Sequence, residues 1–328
     1  HIKFHEALMK GLIILSGLIT GMFLFVVSGF SGEQIKVRSS PLAGSWYPAD
    51  PQELKTTVKK YLDQVQVPEI KEKIAALISP HAGYQFSGKA ASCGFATLRG
   101  KDFDRVIIIG PSHRAWFQGI CVSSFDFYET PLGRVPVGKK VGEELSRQKL
   151  FSFNPEAEAQ EHSLEMQIPF LQVVLKNFTI IPLMVGELGE NDSAEAAKFL
   201  MPYVTDKTLV VVSSDFTHYG ERFGYLPFTE DIKNNLKKLD LGAVDVILEK
   251  DFTGYQKYLQ KTGATICGRN GIGILLPLLP SDAQGALLAY YTSGDILNDY
   301  SSTVSYVSIA FKKPASQELP ISPTKVTP

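Results

Sequence analysis

The chain reads as a layered α/β domain with a largely parallel central sheet, and three observations predict it. Short apolar runs recur without polar alternation, as strands buried on both faces require. Stretches with apolar residues at three- and four-residue spacing separate most of them. Turn residues, several with a histidine, follow directly where the apolar runs stop.

In chain order, the folded part starts near Val37, and Pro and Gly in PLAGSWYPADPQEL forbid regular structure before a helix over 52–65. A strand is predicted over 74–79, a helix over 88–98 and a strand over 105–110. Residues 121–137, around ETPLGRVPV, change to short extended pieces and read as a hairpin insertion. Helix 162–177, strand 179–185, helix 193–203, strand 209–214 and helix 229–248 follow. A Gly-rich turn precedes an apolar helix over 272–279, and strands over 286–291 and 304–311 complete the pattern. The expected organisation is a leader over 1–36, one domain over 37–312 and a Pro-rich flexible tail over 313–328.

Composition narrows the function classes. Lys plus Arg number 33 against 34 Asp plus Glu, so no strong field favours nucleic acid or an anionic membrane surface. No basic run interleaved with aromatics appears, and no nucleic-acid partner is expected. The 3 cysteines are too few and too scattered for a disulfide framework. Cys93 and Cys121 read as buried free thiols, and a bond between them needs a proximity that sequence does not give.

Residues 11–30 carry no charge and are long enough to cross a bilayer. With Met9-Lys10 before them and small residues after, they read as a secretory signal peptide or as an uncleaved anchor. Export to the periplasm or exterior, or membrane anchoring through this segment alone, is the expected localisation.

In open α/β sheets ligands bind beyond the carboxyl ends of the strands. Strand 74–79 runs into Pro80-His81-Ala82-Gly83-Tyr84, strand 105–110 into Pro111-Ser112-His113, and strand 209–214 into Asp215-Phe216-Thr217-His218. Each histidine alone reads as a capping or core residue, but three gathered at one sheet edge suit a transition metal or acid/base work. Cys267, in TICGRNG before a helix, offers a thiol whose pKa a helix N-terminus lowers, with an inert buried Cys as the competing reading. Asp215 either orients His218 or caps a following helix. Glu161, His162 and Glu165 form a second cluster, with His162 and Glu165 on one helix face, read as a hydrogen-bonded helix start bordering the cleft, with a second metal site as the lesser alternative.

The ordered segments AGSWYPAD, PHAGYQFSG, GPSHR, ETPLG, EHSLEMQIPFLQ, SSDFTHYG, TICGRNGI and DYSSTVSYVSIAF resemble the Memo-like family, which includes the bacterial AmmeMemoRadiSam system protein B. The resemblance implies a single three-layer α/β/α domain similar to the class III extradiol ring-cleaving dioxygenases. It implies metal ligands at His81, His113 and Cys267, and a catalytic acid/base at His218 assisted by Asp215. A cysteine stands where those dioxygenases use a carboxylate ligand, and two imidazoles with a thiolate favour iron or copper, or zinc, over harder ions. The expected function is a non-haem iron or copper redox protein acting on a small molecule or oxygen species. The alternative is a non-catalytic metal- or partner-binding module. The family's name further implies a functional link to a radical SAM protein.

Overall fold

The apolar runs become the strands of a central sheet in the computed structural model, which describes residues 34–313. The strands in chain order are β1 (Val37–Arg38), β2 (Lys73–Ser79), β3 (Arg105–Pro111), β4 (Ile120–Val122), β5 (Phe127–Thr130) and β6 (Gly133–Pro136). They continue with β7 (Phe151–Phe153), β8 (Thr179–Val185), β9 (Thr208–Ser213), β10 (His218–Gly220), β11 (Gln284–Thr292) and β12 (Ser302–Lys313). The large sheet runs β10-β12-β2-β9-β3-β8-β4-β7, with β11 on the other side of β12. Its centre, β2-β9-β3-β8, is parallel throughout, while β12 and β4 join antiparallel at its two sides. The 121–137 insertion is the expected hairpin, β5 with β6, and β1 adds to it in parallel.

Successive residues of a strand point to opposite faces, so each central strand feeds two cores. Ile78, Ile107, Ile109, Leu183 and Val212 face one core, closed by Leu200, Val244, Tyr255, Ile272 and Leu275 of the helices on that side. Leu77, Val106, Ile108, Met184 and Val211 face the other, closed by Leu54, Val58, Phe95 and Phe170. Each fully buried Val, Ile or Leu contributes about 1.5–3 kcal/mol, which explains why both faces of the sheet must be covered. The result is a three-layer α/β/α arrangement.

Two sequence expectations change in detail. The stretch read as one helix over 162–177 is a 3-10 turn, Glu165–Gln167, and then a helix, Ile168–Val174, with residues 162–164 in a loop. Pro169 has no N–H to bond back to Glu165, so one continuous helix from 162 would lose that bond. Asp215 caps no helix, because the chain runs from it into β10. Cys93 and Cys121 are both free and buried, and burial pushes the Cys121 thiol up to about 12.

The predicted leader over 1–36 lies outside the described residues up to position 33, as does the tail beyond position 313. Among the described residues no helix is long and apolar enough to cross a membrane.

Candidate metal centre

The parallel strands β2, β9, β3 and β8 lie side by side, so the loops leaving their carboxyl ends line up along one edge. His81 leaves β2, Asp215 leaves β9, and His113 leaves β3. Strands sit about 4.8 Å apart, so β9 would hold the two histidine loops near 10 Å from each other if its own end were bulky. It ends instead in Ser213-Ser214, and over these small side chains the His81 and His113 rings approach to 5.1 Å between centroids. The loop at His162, which the strand-end pattern left aside, brings a third imidazole 5.4 Å from His81 and 4.3 Å from His113. One nitrogen from each of the three rings lies within 4.8 Å of the others, a spacing compatible with one metal ion.

Hydrogen bonds fix which nitrogen each ring offers. The Ser213 hydroxyl has one proton, and the Ser163 carbonyl 2.6 Å away can only accept it. Its lone pairs are left to receive Gln167 Nε2–H at 2.8 Å and His81 Nδ1–H at 2.8 Å. His81 therefore carries its proton on Nδ1 and presents the Nε2 lone pair. His113 Nδ1 donates to Glu161 Oε1 at 2.9 Å, which leaves its Nε2 free in the same way. A carboxylate holding a histidine's outer nitrogen is the support that metal-ligating imidazoles generally have.

Glu161 organises the centre more than sequence reasoning foresaw. Its buried carboxylate also accepts the backbone N–H groups of His113, His162 and Ser163. Burial raises its pKa, but the His113 hydrogen bonds and the nearby imidazoles outweigh that and leave it at about 2. Glu165, assigned to the same helix face as His162, instead turns away to Arg38 Nη1 at 2.7 Å and Tyr47 Oη at 2.6 Å. Arg38 also donates through Nε to the Glu158 carbonyl and through Nη2 to the Glu161 carbonyl. The first strand thus holds the loop that carries the third imidazole.

Cys267 reaches the centre from the turn before the helix Arg269–Leu278, with its sulfur 3.3 Å from His81 Nε2. The turn lies against the end of β9, where a Cβ on Gly268 would stand 2.4 Å from Ser214 Cβ, so the position admits no side chain. The Asp215 N–H donates to the sulfur at 3.2 Å. The expected lowering of the thiol pKa at the helix start does not hold: burial raises it, and Asp215 adds to the rise. A metal ion would reverse this, because a coordinating thiol is deprotonated.

His218 stands apart from the three-imidazole group. Its Nδ1 lies 3.1 Å from the Thr265 carbonyl, which fixes the proton there and leaves Nε2 as a lone pair. Asp215 accepts from the backbone N–H of His81 at 2.8 Å, so its direct hydrogen bond supports the His81 loop, while Thr265 orients the His218 ring. Burial raises the Asp215 pKa, and the nearby imidazoles and the backbone N–H groups of His81 and Ala82 act against that.

The donors fit a transition metal. Two Nε2 lone pairs are preset, a thiol adjoins one of them, and His162 Nδ1 is buried without a well-formed hydrogen bond, 3.3 Å from Glu161 Oε1. Burial lowers the His162 pKa to about 4 and the His81 pKa well below its ordinary value, so both rings are neutral at pH 7, as ligands must be. Without metal, this neutrality links stability to pH. Between 6.5 and about 4 the unfolded chain binds protons that folded His162 refuses, so stability falls as pH falls through that window. The fall is expected to approach about 3 kcal/mol for His162. Urea unfolding in chelator should show it, and His162→Gln should flatten the slope. An unchanged slope in that variant would refute the assignment.

A cleft of about 420 Å³ opens onto His113 and Cys267, with Arg114, Trp116, Glu187 and Arg269 among its lining residues. Trp46 covers the far side of His162, with ring centroids 4.6 Å apart. Trp46 was assigned no role here from sequence, and Glu161 was read only as part of a separate cluster with His162 and Glu165.

Residues 38–310 match the family model described as Memo-like protein. Protein memo-1 homolog of Caenorhabditis elegans is 34% identical over 309 residues, covering 90% of this chain and 87% of that protein. Protein MEMO1 of Homo sapiens is 33% identical over 290 residues, covering 84% of this chain and 97% of that protein. Among solved structures, the crystal structure of the uncharacterized protein JW3007 from Escherichia coli K12 aligns with a TM-score of 0.46 and 12% identity, covering 73% of this chain and 99% of that one. The relatives correct the expectation of an exported or membrane-anchored protein. The family match begins at residue 38, beyond the apolar segment that carried that expectation, and alignment with this chain accounts for 97% of the human relative.

Proposed function

This chain belongs to the Memo-like family, and on that premise we propose that it is a metal-dependent redox protein holding one transition-metal ion on His81, His113 and Cys267. The observation that carries the reading is the 3.3 Å approach of the Cys267 sulfur to the lone-pair nitrogen of His81, beside the cleft that His113 and Cys267 both line. Two imidazoles and a thiolate form a soft set that suits iron or copper, with zinc as the redox-inert competitor. When bound, such an ion supplies one-electron chemistry toward a small molecule or an oxygen species entering from the cleft. The chain's own residues set the stage for it. Glu161 orients His113, Ser213 orients His81, and Asp215 fixes the backbone of His81.

His218 is read as the proton acceptor, because its free Nε2 belongs to a ring held by Thr265 outside the three-imidazole group. His218→Ala is expected to retain metal stoichiometry while lowering turnover by about 100-fold or more. Metal analysis alongside oxygen-consumption assays checks this, and loss of metal in the variant would make His218 a ligand instead.

A second reading has the ion between His81, His113 and His162, favoured by the approach of one nitrogen from each ring to within 4.8 Å of the others. Cobalt(II) substitution separates the two. A thiolate charge-transfer band that disappears in Cys267→Ser and persists in His162→Ala supports the thiolate reading. No such band in the parent, with cobalt binding kept in Cys267→Ser and lost in His162→Ala, supports the three-imidazole set. Metal-loaded protein that consumes neither oxygen nor reductant would assign the chain to non-catalytic metal binding.

A further inference from the structure

We infer that Asp240 is a positioning residue for His218, holding through Thr217 the start of β10, which carries the imidazole. The inference deepens the proposed function and rests on its reading of His218 as the proton acceptor. Along the helix Ile232–Leu248 the buried residues are Leu236, Asp240, Ala243, Val244 and Ile247, and steps of this kind mark a core-facing stripe. Asp240 is the one charged residue in that stripe, 1% exposed and with no ion-pair partner among the described residues. A carboxylate buried without a cation costs stability unless hydrogen bonds compensate, so its hydrogen bonds show what it serves.

Most of them go to Thr217. Asp240 Oδ1 accepts the Thr217 hydroxyl at 2.6 Å and its backbone N–H at 3.2 Å, while Oδ2 accepts the Tyr290 hydroxyl at 3.0 Å. β12 holds the same residue from another side, because the ladder that pairs His218 with Val304 extends back to the Ser305 N–H, which donates to the Thr217 carbonyl at 3.0 Å. Consecutive side chains along a strand point in opposite directions. Anchoring Thr217 inward against the helix therefore aims His218 the other way, where Thr265 accepts its backbone N–H at 2.9 Å and its Nδ1–H at 3.1 Å. The two anchors differ in kind: Thr265 fixes the proton on the ring, and Asp240 fixes the backbone from which the ring hangs. Burial raises the Asp240 pKa and the facing hydroxyl groups act against that, but Oδ1 accepts from Thr217 in either protonation state. An amide oxygen at the same place can supply the same acceptor.

Ring-nitrogen NMR on the full chain in chelator tests this, with the His218 signals assigned by their loss in His218→Ala. The parent should show one His218 tautomer, protonated on Nδ1, in a single environment. Asp240→Leu and Thr217→Val should each shift those signals or broaden them by exchange between ring orientations, while the His81 and His113 signals and the metal stoichiometry stay as in the parent. Asp240→Asn, which keeps an acceptor facing Thr217, should return the His218 signals toward those of the parent. In metal-loaded protein that consumes oxygen, Asp240→Leu should lower kcat by about 10- to 100-fold, and Asp240→Asn by less. A metal-loaded parent without turnover would sink the redox reading, whereas the ring signals decide the role of Asp240 on their own. Thr217→Val, nearly the same shape as the parent residue, carries the test if Asp240→Leu does not fold. His218 signals in Thr217→Val identical to the parent's would overturn the inference. So would equal disturbance of the His81 and His113 signals, which marks a general loosening of the fold.

Discussion

His81→Ala and His113→Ala are each expected to reduce metal affinity by roughly 100-fold or more, since support groups one bond removed from a metal already contribute 10- to 100-fold. Both rings present a preset Nε2 lone pair, so each variant removes a donor whose orientation the fold has already secured. Glu161→Gln provides the graded comparison. It keeps the shape of the group that holds His113 but weakens its four accepted hydrogen bonds, and a loss of about 10- to 100-fold is expected. Titration against a competing chelator measures all three, with circular dichroism confirming the fold. One tightly held ion per chain in His81→Ala would end the proposal that this edge is the metal centre.

Arg38→Met is expected to destabilise the protein by about 3–5 kcal/mol, the usual consequence of removing one partner from a buried ion pair. The side chains of Arg38 and Glu165 are each 1% exposed, so the Glu165 carboxylate would stay buried without its counterion. The Glu161 carbonyl would lose its Arg38 donor as well, and the Glu158 carbonyl would keep only the Glu161 N–H. The double variant Arg38→Met with Glu165→Gln should recover much of the loss, because the carboxylate that Arg38 pairs with is no longer charged. Urea unfolding of both variants tests this. A single variant as stable as the parent would show that water reaches the pair.

The central strands were legible in the sequence because burial on both faces writes them as unbroken apolar runs. Residues 179–185 and the runs beginning at 74 and 105 are found within a residue of their expected limits. Elements held by tertiary context were not. β4 and β7 are three residues each, too short for any period to appear, and the helix Phe252–Thr262 buries only Tyr255 fully. At the centre, His81, His113 and Cys267 were readable because they follow apolar runs or precede a helix, and all three reach the same edge. The inclusion of His162 was not readable. It depends on Arg38 and Glu161 holding a loop that local periodicity reads as helix, and the Arg38 contact spans more than a hundred residues. The thiol pKa was misjudged for a related reason: proximity to a helix start is visible in sequence, whereas burial is not.

The order of strands across the sheet bears on how the protein is made. β9 lies between β2 and β3, so the two earliest central strands never pair with each other and are joined only through Thr208–Ser213. During synthesis the first two-thirds of the chain must leave the ribosome before the middle of the sheet can close, and Cys267 emerges later still. Pairing at such sequence distance is slow and leaves apolar edges exposed meanwhile. His81 and His113 therefore exist as separate loops for most of translation, and the proposed metal centre would be a property of the finished chain.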